Sequence, residues 1–243
     1  MIDLHCHILP ELDDGARSLE ESLAMARMAV DSGVTAMVAT PHCGSDRRQT
    51  VLPVYQLLRE ALKEMEIPLK LYSGMEIFGT PETSRLLKEE KLLTLNGSRY
   101  PLIEFSFQSD GESETQILKD VLEAGFCPVV AHPERYDYVR RDPRLINRWV
   151  RMGCLLQVNR GSLFGRFGTG AQKMAVELVE RGLAAVVSSD AHSARVRTPW
   201  MEDVEKLLSA EFSPRYARML LQENPEIILK NEVIIPADAE WFE

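Results

Sequence analysis

The chain has 243 residues, with 28 lysines and arginines against 37 aspartates and glutamates, which gives a formal net charge of −9. Its apolar fraction of 45% is typical of a globular protein with a sizeable core and excludes disordered and fibrous chains. Because the chain is acidic and no aliphatic run approaches the roughly 20 residues of a membrane helix, we expect no nucleic-acid partner and no membrane insertion.

The sequence predicts seven strands, each followed by a stretch with helical periodicity. Ser18 and Glu21 form a capping box at the start of the first helix, and Gly33 ends it. Asp142 and Pro143 are typical of a further helix N-terminus. The strands are predicted at residues 1–5, 34–40, 69–74, 100–105, 127–131, 154–158 and 184–188.

Runs such as residues 129–131 and 184–187 are apolar throughout, which indicates parallel strands covered on both faces. Seven β/α units of this length are compatible with an open doubly wound sheet or with a closed barrel. The two differ in the position of functional residues. These collect at the carboxyl ends of most strands in a barrel, but at a switch point in an open sheet.

Six of the seven predicted strands end in or are followed by histidine, aspartate or glutamate, the residue types that commonly bind metals. All five histidines of the chain lie at these strand ends. The residues at the strand ends are His5, His7, His42, Glu76, Glu104, His132, Asp190 and His192. Either Asp13 or Asp14, in the loop after the first strand, is expected to join them. This coincidence favours a barrel with a metal centre at its mouth.

Nine candidate ligands exceed what one cation uses, so we expect two or three divalent ions. Imidazole and carboxylate donors without thiolate suit manganese, iron or zinc better than a structural cysteine-type zinc site, and the donor types do not choose among the three ions. Adjacent ions activate water for phosphoester hydrolysis, and a guanidinium offers phosphate a planar pair of donors. Arg135, three residues after His132, and Arg197, five after His192, are therefore predicted phosphate anchors.

Cys154 and Arg160 enclose five residues, the spacing of cysteine-dependent tyrosine phosphatases. The enclosed residues 155–159 form a strand pattern without glycine, so they cannot wrap backbone N–H groups around a phosphate. We therefore do not expect Cys154 to act as a nucleophile. The other three cysteines are expected to pack beside the site.

Several motifs resemble the PHP (polymerase and histidinol phosphatase) superfamily, from residue 1 to about residue 225. They are Asp3-Leu4-His5-Cys6-His7, Asp13-Asp14-Gly15, Thr40-Pro41-His42, Ile103-Glu104-Phe105, Ala131-His132-Pro133-Glu134-Arg135-Tyr136 and Ser189-Asp190-Ala191-His192. The segments at Glu104 and at 132–136 resemble the metal-dependent protein-tyrosine phosphatases encoded with bacterial capsule and exopolysaccharide genes.

The resemblance implies an α/β fold, a distorted seven-stranded (β/α) TIM-like barrel, with a three-ion site supported by manganese. It selects Asp14 in the first loop and implies Arg135, Arg197 and Glu104 as catalytic residues. One ion would be held by His5, His7, Glu76 and Asp190, a second by Glu76, Glu104 and His132, and a third by Asp14, His42 and His192. Cys43 and residues 160–162 depart from the pattern and are candidates to line the pocket.

The sequence therefore predicts a protein-tyrosine phosphatase that uses metal-activated water and forms no phosphoenzyme. The implied substrate is a tyrosine-phosphorylated autokinase controlling capsule or exopolysaccharide synthesis. A small-molecule phosphatase, such as one acting on histidinol phosphate, and an inactive metal-binding regulator are the alternatives. We expect one domain over residues 1–243, with a short C-terminal tail from about residue 231. Without a secretion signal or a cysteine pairing pattern, a cytoplasmic location with reduced thiols is expected.

Overall fold

Parallel strands form the centre of the fold. The computed structural model describes residues 1–43, 48–234 and 239–243, with Cys43 described by its backbone alone. Within these ranges the strands are β1 Ile2–Cys6, β2 Ala36–Ala39, β3 His42–Cys43, β4 Lys70–Ser73, β5 Glu76–Phe78, β6 Leu102–Glu104, β7 Val129–Ala131, β8 Leu155–Asn159 and β9 Val186–Ser188. Every pair of neighbours is parallel, as predicted.

The strands form two sheets, a three-stranded one in the order β1-β2-β4 and a six-stranded one in the order β3-β5-β6-β7-β8-β9. The predicted α/β fold with parallel strands is confirmed, whereas the distorted seven-stranded barrel is not, because the strands of the described residues lie in two sheets. The predicted second strand corresponds to β2, and the short strand β3, which was not predicted, follows it after Pro41, whose nitrogen cannot donate to a ladder. The predicted third strand corresponds to β4, and the short strand β5, which was not predicted, follows it after Gly74, where a Cβ atom would lie 2.8 Å from Val38.

The two sheets also meet between β1 and β9. An isolated parallel bridge joins Cys6 to Ala191, and it is flanked by two backbone hydrogen bonds. The amide of Asp190 donates to the carbonyl of His5 at 2.9 Å, and the amide of His7 donates to the carbonyl of Ala191 at 2.8 Å. The chain segments that follow β1 and β9 are thereby fixed side by side.

Helices connect the strands in chain order. They are α1 Leu19–Asp31, α2 Arg48–Glu64, α3 Thr83–Lys88, α4 Glu112–Glu123, α5 Asp137–Arg141, α6 Arg144–Met152, α7 Arg160–Leu163, α8 Thr169–Glu180, α9 Glu202–Glu211, α10 Pro214–Arg218 and α11 Asn224–Leu229. The Ser18 cap is confirmed, because its side chain accepts from the amide of Glu21. Helix α6 begins one residue later than predicted, after Pro143. No helix in the described ranges is long and apolar enough to cross a membrane.

Strands β1, β2, β7 and β9 are buried on both faces, as apolar sequences predict, whereas β4 and β5 each have an exposed residue. Leu4, Val38 and Leu102 belong to one apolar cluster inside the sheets. Met37 and Ile103, the neighbours of two of these residues, belong to a second cluster that includes side chains of the helices. Burying a large aliphatic side chain stabilises a fold by about 1.5–3 kcal/mol. The core therefore fixes the strands, whose carboxyl ends lie along one edge.

The described part of the C-terminal tail packs against two helices. The Asn147 side chain on α6 forms hydrogen bonds of 2.8 and 3.1 Å with the backbone of Phe242. The guanidinium of Arg181, after α8, lies 4.5 Å from the ring of Phe242, and that of Arg151 lies 4.5 Å from the ring of Trp241. Residues 235–238 of the predicted tail lie outside the described residues.

Candidate metal centre

The nine side chains predicted as ligands lie together at the carboxyl ends of the strands. They are His5 and His7 of β1 and its end, Asp14 of the next loop, His42 of β3, Glu76 of β5, Glu104 of β6, His132 after β7, and Asp190 and His192 after β9. Seven of the nine side chains are largely buried. Those of Asp14 and His42, with 64% and 40% of their surface exposed, form the outer side of the cluster.

Glu76 lies at the centre of the cluster. Its Oε2 atom is 3.2 Å from His5 Nε2, 3.1 Å from His7 Nε2 and 3.0 Å from His42 Nδ1. Its Oε1 atom is 2.9 Å from His132 Nε2. Among the described residues, no donor is aligned for a hydrogen bond to the buried Oε2. His5 Nε2 and His7 Nε2 also lie 3.2 Å apart, within hydrogen-bond distance of each other. Three imidazole nitrogens and a carboxylate oxygen thus converge as a set of ligand atoms suited to a cation.

Asp190 provides a second point of convergence. Its Oδ1 atom lies 3.5 Å from His5 Nε2, 3.6 Å from His7 Nε2 and 3.6 Å from His192 Nδ1. On the outer side of the cluster, Asp14 Oδ1 lies 3.4 Å from His192 Nε2. One carboxylate therefore faces the histidines from inside the protein, and one faces them from the solvent side.

Asp13, the aspartate that the resemblance did not select, has a different role from Asp14. Its Oδ2 atom is 2.7 Å from His7 Nδ1 and accepts a 2.8 Å hydrogen bond from the amide of His42. A carboxylate on Nδ1 leaves the other ring nitrogen of His7 free to bind a metal. Only glycine fits at the neighbouring position 15, because a Cβ atom there would lie 2.2 Å from the carbonyl oxygen of His7.

Two of the candidate ligands have unusual backbone conformations. His132 has φ of 34° and Asp190 has φ of 50°, both in the left-handed region that side chains other than glycine rarely adopt. Such conformations cost about 1–3 kcal/mol each and are concentrated at functional sites. They turn the chain just after β7 and β9, so that both side chains project into the cluster.

The pKa values show how crowded the cluster is. Burial, followed by the carboxylate of Glu76, raises the pKa of Glu104 to about 7. Burial lowers the pKa of His132 to about 4. For His7, burial is outweighed by the carboxylates of Asp13 and Glu76, which raise its pKa to about 10. Without a cation, His7 therefore carries a proton that a metal would displace.

The donor atoms form four overlapping groups, in each of which all atoms lie within 4.8 Å of one another. The groups are His7, Asp14, His42 and His192; His5, His7 and Asp190; His5, Glu76 and His132; and His42, Glu76 and Glu104. Nitrogen and carboxylate donors without thiolate suit a hard or borderline divalent ion. The chemistry of the donor set therefore fits more than one divalent cation.

Strand β8 carries no candidate ligand, but it supports the ligands of its neighbours. Gln157 Oε1 lies 2.9 Å from His5 Nδ1 and accepts from the amide of His132 at 3.3 Å. Gln157 Nε2 donates to Asn159 Oδ1 at 2.8 Å, and Asn159 Nδ2 donates to Asp190 Oδ2 at 2.5 Å. This chain of amides fixes the orientation of ligands on both sides of the strand.

Replacing Gln157 with leucine is expected to weaken manganese binding about 10–100-fold, because the ring of His5 would lose the acceptor that orients it. Gln157→Glu keeps an acceptor oxygen and is expected to retain more of the affinity. Calorimetric titration with manganese gives the affinity of the Gln157→Leu and Gln157→Glu variants. Gln116→Leu, on the exposed side of α4, is the control. Unchanged affinity in Gln157→Leu would show that the amide does not orient His5.

Arg135 and Arg197 lie beside the cluster and approach the same atom. Arg135 Nη1 is 3.2 Å from Asp190 Oδ2, and Arg197 Nη2 forms an ion pair with that oxygen as well. Arg197 Nη1 also lies 3.1 Å from His192 Nε2. Both guanidinium groups are only partly exposed, so they are held at the edge of the donor cluster with further N–H groups available to an anion.

The segment 160–162, expected as a possible pocket lining, is occupied by internal contacts. Arg160 Nε donates to Asp203 Oδ1 at 2.7 Å, and Ser162 Oγ donates to Glu134 Oε1 at 2.6 Å. Cys154 is buried before β8, and burial raises the pKa of its thiol well above the ordinary value. Arg160 is therefore paired elsewhere, and Cys154 remains a protonated thiol. The expected pocket contact of Cys43 concerns a side chain outside the described residues.

Comparison with known proteins gives consistent matches over nearly the whole chain. The family described as "Capsular polysaccharide synthesis, CpsB/CapC" matches residues 1–230. Tyrosine-protein phosphatase YwqE of Bacillus subtilis (strain 168) is 37% identical over 96% of this chain and 93% of its own length. Tyrosine-protein phosphatase CpsB of Streptococcus pneumoniae is 32% identical over 96% of this chain and its full length. A solved structure from a study of YwqE and CpsB, "unique metal-dependent tyrosine phosphatases", matches with a TM-score of 0.93, 35% identity and full coverage of both chains.

Proposed function

Since the chain belongs to the CpsB/CapC family of capsular polysaccharide synthesis, we propose that it is a metal-dependent protein-tyrosine phosphatase. The observation that carries the proposal is the convergence of His5, His7 and His42 on the buried Oε2 atom of Glu76. The matched relatives are tyrosine-protein phosphatases, and the solved relatives are metal-dependent. The substrate we propose is a tyrosine-phosphorylated kinase of capsule or exopolysaccharide synthesis. We propose that the reaction takes place in the cytoplasm.

We assign the nine side chains as ligands to two or three divalent ions, manganese by preference and iron or zinc as alternatives. The three-ion arrangement inferred from the resemblance agrees in part with the observed groups. Asp14, His42 and His192 fall in one group, which also includes His7. Both oxygens of Glu76 would be available as ligand atoms, because Oε2 faces His5 and Oε1 faces His132. Bound cations would polarise the phosphoryl oxygens and lower the pKa of a water.

The protein's own residues have defined tasks in this reaction. Arg135 and Arg197 bind the phosphoryl oxygens, since a guanidinium presents planar, paired N–H donors. Asp13 and Gln157 orient His7 and His5 and keep their Nε2 lone pairs directed into the cluster. Glu104, whose pKa of about 7 is set by burial and by Glu76, lies at the edge of the donor set as a ligand and proton acceptor. The leaving phenol needs little assistance, because its pKa is about 10.

The proposal is tested by measuring hydrolysis of a phosphotyrosine peptide by the chelated and the manganese-loaded protein. We expect turnover to depend on the added metal. A binding protein without catalysis would show no turnover with manganese, iron or zinc, and this result would overturn the proposal. Histidinol phosphate serves as the competing substrate, and a higher kcat/KM for it would overturn the assignment to phosphotyrosine.

Metal binding is expected to release about one to two protons at pH 7.5, because His7 is protonated below its pKa of about 10 and Glu104 titrates near 7. Affinity should accordingly rise with pH up to the pKa of His7. Calorimetric titration in buffers of different ionisation enthalpy gives the proton count. Asp13→Asn removes a carboxylate that raises the pKa of His7, so fewer protons should be released. A count of zero in the unaltered protein would contradict the expectation.

Cys154→Ser is expected to retain kcat/KM within about twofold, because the buried thiol lies before β8 and takes no part in the donor cluster. The measurement is manganese-dependent hydrolysis of the phosphotyrosine peptide. Circular dichroism of the variant controls for folding. If the folded serine variant were inactive, a thiol mechanism would have to replace the metal-dependent one.

A further inference from the structure

Two phenylalanine rings enclose the guanidinium group of Arg135. Its central carbon lies 4.7 Å from the ring centre of Phe107 and 4.3 Å from that of Phe167. Cation–π contacts of this kind favour a fixed position of the charge over the ring. The two aromatic contacts restrict the guanidinium group of Arg135, and its Nη1 atom donates a hydrogen bond to Asp190.

Phe167 also contacts the second arginine of the site. The guanidinium carbon of Arg197 lies 5.5 Å from its ring centre. Phe167 lies in the segment between α7 and α8, and its ring packs against Gly161 of α7. A Cβ atom on Gly161 would lie 2.9 Å from that ring. The absence of a side chain at Gly161 leaves room for a ring that contacts both predicted phosphate anchors.

Phe107 is more exposed than Phe167, and its ring lies beside a candidate ligand. Its side chain is 38% exposed, and its ring centre lies 6.1 Å from that of His132. The backbone at this position is fixed, since the carbonyl of Phe107 accepts a 2.9 Å hydrogen bond from the amide of Asp137. An accessible aromatic surface is therefore held between a candidate metal ligand and a candidate phosphate anchor.

We propose that Phe107 contacts the aromatic ring of the substrate and selects aryl over alkyl phosphate monoesters, whereas Phe167 positions Arg135 and Arg197. The proposal rests on the phosphatase function proposed above, because it takes the cluster and the arginines as the phosphoryl site. A phenyl ring attached to a phosphate bound there would lie within reach of the exposed ring. Aromatic pairs prefer offset or edge-to-face contact, which discriminates an aryl group from an alkyl chain by about two- to tenfold.

Two phosphonates that cannot be hydrolysed test this discrimination without requiring turnover. Phenylphosphonate and methylphosphonate are titrated into the manganese-loaded protein, and the ratio of their dissociation constants is compared between variants. Phe107→Leu is expected to reduce the preference for phenylphosphonate over methylphosphonate by about two- to tenfold. Methylphosphonate binding should weaken less than phenylphosphonate binding, because Arg135 loses one of its two ring contacts but keeps the contact with Phe167. Phe107→Tyr should preserve the preference. An unchanged ratio in Phe107→Leu, or an equal loss for both ligands, overturns the role of Phe107.

Phe167→Leu is expected to weaken binding of both phosphonates to a similar extent, because both arginines lose a contact, and Phe167→Tyr should restore it. Binding unchanged in Phe167→Leu, or lost for phenylphosphonate alone, overturns the positioning role. Phe164→Leu is the matched control, since this 40% exposed ring lies 5.7 Å from Arg160, which is paired with Asp203. If the unaltered protein shows the aryl preference but does not hydrolyse phosphotyrosine, the proposed function fails and the role of Phe107 stands.

Discussion

Glu76→Gln is expected to lower kcat/KM for a phosphotyrosine peptide about 10³-fold, which corresponds to roughly 4 kcal/mol of transition-state stabilisation. The substitution keeps the size of the side chain and removes the negative charge on which three histidine nitrogens converge. An amide nitrogen in place of one oxygen would also direct N–H groups at the donor cluster. Steady-state kinetics and the number of manganese ions bound per chain are the two measurements.

Glu114→Gln is the matched control for this substitution. Glu114 is also a buried glutamate, but it lies on α4 and accepts hydrogen bonds from Ser109 and Ser113. We expect it to retain its full metal content and activity. If Glu76→Gln retained both as well, the convergence on Glu76 would not describe the metal site.

The order of seven strands and their parallel type could be predicted from the sequence, whereas the short strands β3 and β5 and the division into two sheets could not. Apolar runs such as residues 129–131 carry a clear signal, because burial on both faces removes alternation. The predicted second strand ended at Thr40, so the two residues of β3, which follow Pro41, were missed. Strand β5 was missed in the same way, because it follows Gly74, whose close approach to Val38, a residue 36 positions away in the sequence, leaves no local signal.

The candidate ligands could be identified because parallel strands place their carboxyl ends together, so position in each β/α unit predicts proximity. Residues that support the ligands were missed, since their role depends on hydrogen bonds across the fold. Gln157 and Asn159 left a partial signal as polar residues two apart on an otherwise apolar strand. Asp13 could not be separated from its neighbour, because loop geometry decides which carboxylate reaches His7.

The second large effect is expected at the arginines. Arg135→Lys and Arg197→Lys should each lower kcat/KM about 10²-fold, because lysine keeps the charge but loses the planar pair of donors. The two guanidinium groups share Asp190 Oδ2 and the ring of Phe167. Their effects should therefore not be additive, and the double variant is expected to lose less than the product of the single losses. Kinetics of the four proteins of the double-mutant cycle give the coupling.

Arg160→Lys supplies the control for these two substitutions. Arg160 is a buried arginine that also follows a strand of this sheet, but its guanidinium is paired with Asp203 and donates to the carbonyl of Thr198. If arginines act here by binding phosphate, the Arg160 variant should lose stability without a comparable loss of kcat/KM in the folded protein. Equal losses at all three positions would mean that arginine substitution disturbs the fold of this region, and that Arg135 and Arg197 have no special relation to phosphate.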